Sequence, residues 1–339
     1  MVAVTIRVAC VGAGYFSRFH LESWARMQDV TVVGVCDRNI DAARKTGAPA
    51  FADLHGMLDE TAPDVLDIVL PPAAHADSIR TALAAGIRWI VCQKPFCQDL
   101  DEARAMAEAA EAEDATLIVH ENFRFQPWYR AMRDHIASGA LGTVQNATFR
   151  LRPGDVQGPR AYLDRQPYFQ RMPRFLVHET AVHWIDTFQF LFGPVRSVYA
   201  DLRRLNPAVS GEDAGHVIFD HDNGMRALFD GNRHLDHASD NTRRTMGEAL
   251  VEGTGGTLTL TGDGQVTHRP FGAQKTTQVL PPCTHDGFGG DCVHALNSHV
   301  ITAMQGAGRV ENKARDYLSV LAVEAAIYRS AETGQRMIL

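Results

Sequence analysis

The sequence predicts an α/β protein: an N-terminal doubly wound domain on a parallel sheet, then an α+β domain on a large, mostly antiparallel open sheet. Three observations predict it. Short, nearly continuous β-branched runs alternate with helix-like stretches up to about residue 120, the pattern of strands covered by helices on both faces. Beyond that point the rhythm changes to closely spaced strand-like runs with tight turn signals between them. The chain of 339 residues also exceeds the size that one hydrophobic core usually serves, so two domains, 1–120 and 121–339, are expected.

Taken in order, the first-domain strands are IRVACVG (6–12), VTVVGVCD (30–37), VLDIVL (65–70), IRWIVC (87–92) and TLIVH (116–120). A helix follows Gly14 as far as about Met27, and another runs from about Ala73 to Ala85, where Gly86 is a suitable C′ residue. A third is the Ala/Glu-rich LDEARAMAEAAEAED, with Asp99 as its N-cap. In the second domain a helical segment at 127–138 precedes the runs 143–152, 195–204, 215–222, 225–232, 248–253 and 256–262. HDNG at 221–224 and GTGG at 253–256 are hairpin signals, so the runs read as an antiparallel meander. One helix, FLVHETAVHWIDTFQFLFG (175–193), interrupts it before its second strand, and the helix-like segment from Asn312 could pack on either domain.

A formal net charge of −7 speaks against nucleic acid or an anionic membrane as the main partner, since both call for a basic face. A small ligand fits better. The N-terminus enters a strand-like run without a basic leader, and no stretch approaches eighteen uninterrupted apolar residues, so a cytoplasmic protein is expected. The six cysteines (10, 36, 92, 97, 283, 292) form no C-x-x-C pair and read as reduced, structural thiols.

The first strand runs into GAGYFS, Gly12 to Ser17, a dinucleotide fingerprint with serine at the third glycine position. Gly12 permits the tight turn, Gly14 lets the backbone approach a pyrophosphate, and the following helix aims its amide dipoles at that charge. Twenty residues after Ser17, Asp37 ends the second strand, where an acid would bind ribose hydroxyls. A tight turn with a solvated acid is the plainer alternative, but fingerprint, strand and acid in this order favour a Rossmann domain. Asp37 repels a 2′-phosphate and so favours NAD, while Arg38 beside it leaves NADP open.

HETAVH within the 175–193 helix raises the question of a metal. His178 and His183 are five apart, about 140° around a regular helix, too far for both to reach one ion. No metal site is expected. Glu179, His183 and Asp186 fall instead within about 60° of one helix face. Gln93, Lys94 and Pro95 follow the fourth strand, and open α/β sheets bind ligands at the carboxyl ends of their strands, so Lys94 is placed as a general acid/base candidate. A snorkelling surface lysine is the alternative for Lys94, and a satisfied core histidine for His183.

Several motifs together resemble the Gfo/Idh/MocA (glucose-fructose oxidoreductase / inositol dehydrogenase) family. They are GAGYFS, PPAAH from Pro71 to His75, QKP around Lys94, NFRFQP from Asn122 to Pro127, and the Glu179/His183/Asp186 stripe ahead of the second-domain strands. The resemblance covers essentially the whole chain. It implies NAD(P)-dependent oxidation of a CH–OH group in a sugar or polyol, with Lys94, His183 and Glu179 as catalytic residues. It also implies a cofactor held by Gly12, Gly14, Tyr15, Phe16, Ser17, Asp37, Arg38, Pro72, His75, Gln93 and Lys94. The stripe would line the substrate cleft opposite the nicotinamide, Asp186 either orienting His183 or making a structural hydrogen bond. The family's open sheet implies a homodimer or homotetramer. Two positions depart from its pattern: Gln93 stands where the family usually has Glu, and Glu179 where it usually has Asp.

Six arginines lie at 150, 152, 160, 165, 171 and 174, interleaved with Tyr162, Tyr168 and Phe169, a composition suited to a hydroxyl-rich or anionic ligand. Arg152, at a strand end, and Arg124 are the expected substrate contacts, with Glu179 and His183. VHENFRFQPWYR and HETAVHW resemble sugar dehydrogenases that oxidise a free aldose such as D-apiose at its anomeric carbon to the lactone. Oxidation of a secondary ring alcohol as in inositol dehydrogenases, an NAD-dependent glycosidase and a non-catalytic sugar or NAD sensor are the alternatives.

Overall fold

The structure, a computed structural model, describes residues 5–285 and 287–339. The chain divides into two compact units: residues up to Asn122 with Val293–Leu321, and Phe123–Cys292 with Ala322–Leu339.

The first unit carries a six-stranded sheet of β1 (Ile6–Val11), β2 (Val30–Cys36), β3 (Ala50–Phe51), β4 (Val65–Ile68), β5 (Trp89–Gln93) and β6 (Thr116–His120), in the order β3-β2-β1-β4-β5-β6. Every pairing in it is parallel. Parallel neighbours need crossovers, supplied by α1 (Ser17–Ala25), α2 (Ile40–Arg44), α3 (Leu54–Thr61), α4 (His75–Ala84) and α5 (Leu100–Ala112). Asp53 and Asp99 cap α3 and α5 by accepting the backbone N–H three residues on. The strand order reverses between β1 and β4, the switch point at which such sheets bind nucleotides. The short β3 and the helices α2 and α3 fall in the 38–64 stretch, where the sequence carries no strong periodic run.

The second unit carries a nine-stranded sheet. Its strands are β7 (Val144–Leu151), β8 (Val195–Arg203), β9 (Ala214–His221), β10 (Arg226–Asn232), β11 (Gly247–Gly253), β12 (Gly256–Leu260), β13 (Val266–Pro270), β14 (Thr277–Leu280) and β15 (Met337–Ile338). The order is β14-β13-β12-β11-β7-β10-β9-β8-β15. It is mostly antiparallel but not the simple meander expected, because β7 sits in the middle and pairs parallel with β10. The long 152–194 connection allows this: it carries the chain from β7 out to β8, and two hairpin-like steps bring β10 back beside β7.

Two helices, α6 (Pro127–Ala137) and α7 (Val182–Phe192), belong to this unit. Trp184 of α7 is fully buried, packs on Phe149 and Phe229 of the central strands, and donates its indole N–H to the Tyr129 hydroxyl at 3.1 Å. The remaining helices are α8 (Cys292–Met304) and α9 (Ala314–Thr333). Among the described residues, no helix is long and apolar enough to cross a membrane.

Candidate active site

The glycine turn after β1 is built as its sequence implies. Gly12 adopts φ +106°, and a Cβ there would collide with the carbonyl of Val69. Gly14 is the opposite case: a Cβ on it would meet nothing within 4 Å, so its backbone faces open space that a phosphate group can enter. Beside it lies a hollow of ≈590 Å³ lined in part by Ala13, Gly14, Ser17, Arg18 and Lys45. Ser17 starts α1 and donates its hydroxyl to the Gly14 carbonyl at 2.7 Å, closing the turn that a third glycine would otherwise make. Asp37 ties the second strand to this turn, Oδ2 accepting from the Ala13 N–H and Oδ1 from the Asn39 N–H, both at 2.8 Å. Each oxygen retains a lone pair for a ribose hydroxyl. The residues present therefore fit a dinucleotide.

Of the other expected cofactor contacts, Tyr15 and Phe16 are half-buried in the same turn, Arg38 is exposed beside Asp37, and Pro72 is half-buried at the start of a short 3₁₀ turn after β4. His75 is fully buried, Nε2 bonds the Leu70 carbonyl at 2.8 Å, and Nδ1 accepts from the Cys97 N–H at 3.2 Å. With both ring nitrogens used within the fold, it clasps two loops. Burial holds its pKa below the ordinary histidine value.

Gln93, the last residue of β5, is also buried, and its amide oxygen accepts from the backbone N–H of Lys94 at 2.8 Å. Lys94 itself is half-buried at the carboxyl end of β5. In the second unit, the HETAVH segment departs from a regular α-helix. Residues Leu176–Ala181 form a π-helical turn, and only from Val182 does the chain settle into α-helix. The wider turn alters the angle between Glu179 and His183 from the value a 3.6-residue period implies. Such turns are frequent at functional sites.

The ring of His183 stacks flat on Phe123, 3.8 Å between centroids and 2° between planes. His178 pairs with Glu324, Nδ1 to Oε1 at 2.7 Å. Among the described residues no group of three histidine, cysteine or acidic side chains is gathered as a metal would require. Asp186 is buried and receives a two-pronged bond from Arg124, Nε to Oδ2 at 2.8 Å and Nη2 to Oδ1 at 2.5 Å. Arg124 thus holds α7 to the segment before α6.

Arg152, expected as a substrate contact, has a side chain 7% exposed, and its head bonds the carbonyls of Leu151 and Asp230 and the Asp230 carboxylate. It seals the sheet where β7 ends.

A different arginine, marked by no motif, organises Glu179. Arg233, directly after β10, is 2% exposed. It grips Asp155 with Nε and Nη2 at 3.1 and 2.8 Å, and its Nη1 reaches Glu179 Oε2 at 3.4 Å and Thr180 Oγ1 at 2.5 Å. Tyr162 donates to Asp155 at 2.9 Å, and the guanidinium lies over the rings of Phe175 and Tyr162. Burial alone would push the Asp155 carboxyl up, but Arg233 holds it below the usual carboxylate range. The only sequence signal was the arginine–aromatic composition of 150–174, which supplies Tyr162 but not Arg233.

Two family models cover most of the chain. Residues 6–121 match the oxidoreductase family, NAD-binding Rossmann fold, and residues 129–259 match the GFO/IDH/MocA C-terminal domain. The chain belongs to the Gfo/Idh/MocA family. It is 32% identical to a D-apiose dehydrogenase from Paraburkholderia graminis, covering 98% of this chain and 89% of that one. A D-apiose dehydrogenase from Rhizobium rhizogenes is 27% identical, covering 97% and 96% of the two chains. Among solved structures, an oxidoreductase from Agrobacterium radiobacter in complex with NAD+, L-tartaric acid and magnesium superposes with a TM-score of 0.88. That chain is 24% identical, and 98% of each chain is covered.

Membership of Gfo/Idh/MocA makes the chain an oxidoreductase acting on CH–OH groups, in a family of NAD-dependent sugar and polyol dehydrogenases. The first unit is an NAD-binding Rossmann domain, and Gly12, Gly14, Ser17 and Asp37 form a turn whose geometry suits a dinucleotide.

Proposed function

We propose that this protein oxidises the anomeric hydroxyl of a free aldose of the D-apiose type to the lactone. Bound NAD supplies a hydride acceptor at C4 of its nicotinamide. Lys94 and His183 bind the reacting hydroxyl, one of them taking its proton as the C–H bond breaks. Glu179 accepts a hydrogen bond from a neighbouring sugar hydroxyl. The observation that carries this reading is the clamp on Glu179: a buried guanidinium and a threonine hydroxyl fix the orientation of its carboxylate, as recognition of a polyhydroxylated ligand requires. The likeness to D-apiose dehydrogenases over nearly the whole chain supports the substrate class.

The open nine-stranded sheet supports a homodimer or homotetramer, since its outward positions include Tyr199 and Leu250, each 38% exposed. All six cysteines are free thiols, five of them buried, which supports residence in the reducing cytoplasm.

The test is NADH production across D-apiose, other aldoses, inositols and sugar acids, with the product of the best substrate analysed as lactone or ketone. Turnover of an aldose to lactone, abolished in Lys94→Ala and in His183→Ala, the latter with NAD binding intact, is expected. A ketone product from an inositol, or no turnover of any member despite tight NAD binding, would overturn it.

A further inference from the structure

Behind Lys94 runs a chain of buried polar groups that the chemistry above does not use. Asp67 lies in the middle of the apolar strand β4 with no solvent exposure. One of its oxygens, Oδ2, accepts from the indole N–H of Trp24 at 2.7 Å and faces His20 Nδ1 at 2.9 Å. The other oxygen has no partner. His20, on α1 and equally buried, faces the Gln93 amide nitrogen with its Nε2 at 3.0 Å, and Gln93 Oε1 accepts the Lys94 N–H.

Donors and acceptors fix the protons along this chain without their being seen. The Lys94 N–H can only donate, so the Gln93 oxygen must face it and the Gln93 amine must face His20. His20 Nε2 therefore accepts and carries no proton. Its proton sits on Nδ1 and is donated to the Asp67 carboxylate. A doubly protonated His20 would oppose two donors, so an amide at position 93 keeps the imidazole neutral. A carboxylate there would accept from both sides and draw a second proton onto the ring.

On the flank of His20, the His120 ring lies 4.0 Å away, its Nε2 bonded to Asn297 at 3.2 Å.

We propose that Asp67, His20 and Gln93 are positioning residues for Lys94: a hydrogen-bonded chain that fixes the main chain where β5 ends, with the glutamine setting a neutral His20. This rests on the reading of Lys94 as an acid/base group. It deepens that reading by explaining how a lysine next to a loop is held to the tolerance that proton transfer demands.

Two measurements on the full-length, NAD-loaded protein test it. The first is nitrogen NMR of histidine-labelled protein, the His20 signals being those lost in His20→Gln. A proton on Nδ1 and a bare Nε2 are expected in the wild type, and a doubly protonated ring in Gln93→Glu. A wild-type ring protonated at Nε2 overturns the chain of bonds.

The second is kinetics. Gln93→Leu, which loses both bonds, is expected to lose about tenfold or more in kcat at saturating NAD and sugar, and Gln93→Glu to recover most of that loss. Full kcat in Gln93→Leu overturns the positioning role even where Lys94→Ala is inactive. Normal turnover in Lys94→Ala would instead overturn the role of Lys94, and the NMR result would still judge the bonds.

Discussion

Replacing His120 with glutamine should flatten the loss of stability between pH 7 and pH 5. His120 is fully buried, and its pKa falls to about 3 because burial disfavours the charged ring, with Asp67 and Asn297 pulling the other way. In the unfolded chain it returns to about 6.5. A histidine whose folded pKa is depressed binds fewer protons when folded, so its contribution is fully present above the unfolded value. It is lost as pH falls from about 6.5 towards 3.

At pH 5 the unfolded ring is almost wholly protonated and the folded one almost wholly neutral. The difference amounts to a loss of about 2 kcal/mol relative to pH 7, rising towards about 5 kcal/mol in full at lower pH. Urea midpoints of wild type and His120→Gln at both pH values read this directly. The wild type should lose about 2 kcal/mol more than the variant over the interval. Equal losses, or a His120 proton resonance that titrates near pH 6 in the native protein, would refute it.

The two turn glycines should separate stability from cofactor binding. Gly12→Ala forces a side chain into the Val69 carbonyl at a φ of +106° and should lower Tm, whereas Gly14→Ala should leave Tm of the free protein unchanged and weaken NAD by about tenfold, measured by fluorescence titration. Arg233→Met leaves Asp155 and Glu179 without their buried cation and should cost about 3–5 kcal/mol of stability in the second unit. It should also raise KM for the sugar with Kd for NAD unchanged; an unaltered KM would dissociate Glu179 from substrate binding. Asp37→Ser should narrow the preference for NAD over NADP by about tenfold in kcat/KM, since the repelling carboxylate is gone.

Much of the first unit was legible in the sequence because its signals are local. A buried parallel strand must be apolar, a turn at φ +106° favours glycine, and an acid at the end of the second strand answers a ribose, so β1, the GAG turn, Asp37 and Lys94 could be located by reading along the chain. An aspartate inside VLDIVL was the one local sign of the buried Asp67–His20–Gln93 chain. An acid in an apolar run calls for partners, but which partners cannot be read from spacing when they lie 47 and 43 residues away.

Tertiary structure alone decided the rest. The π-turn at Leu176–Ala181 belongs to a segment whose backbone is tied to Glu212 and the Tyr328 hydroxyl, and no residue within HETAVH demands it. Arg152 and Arg233 are the same residue type at the ends of two paired strands. One seals the sheet and the other clamps Glu179, because a guanidinium's role is set by which carboxylates the packed chain brings within its reach.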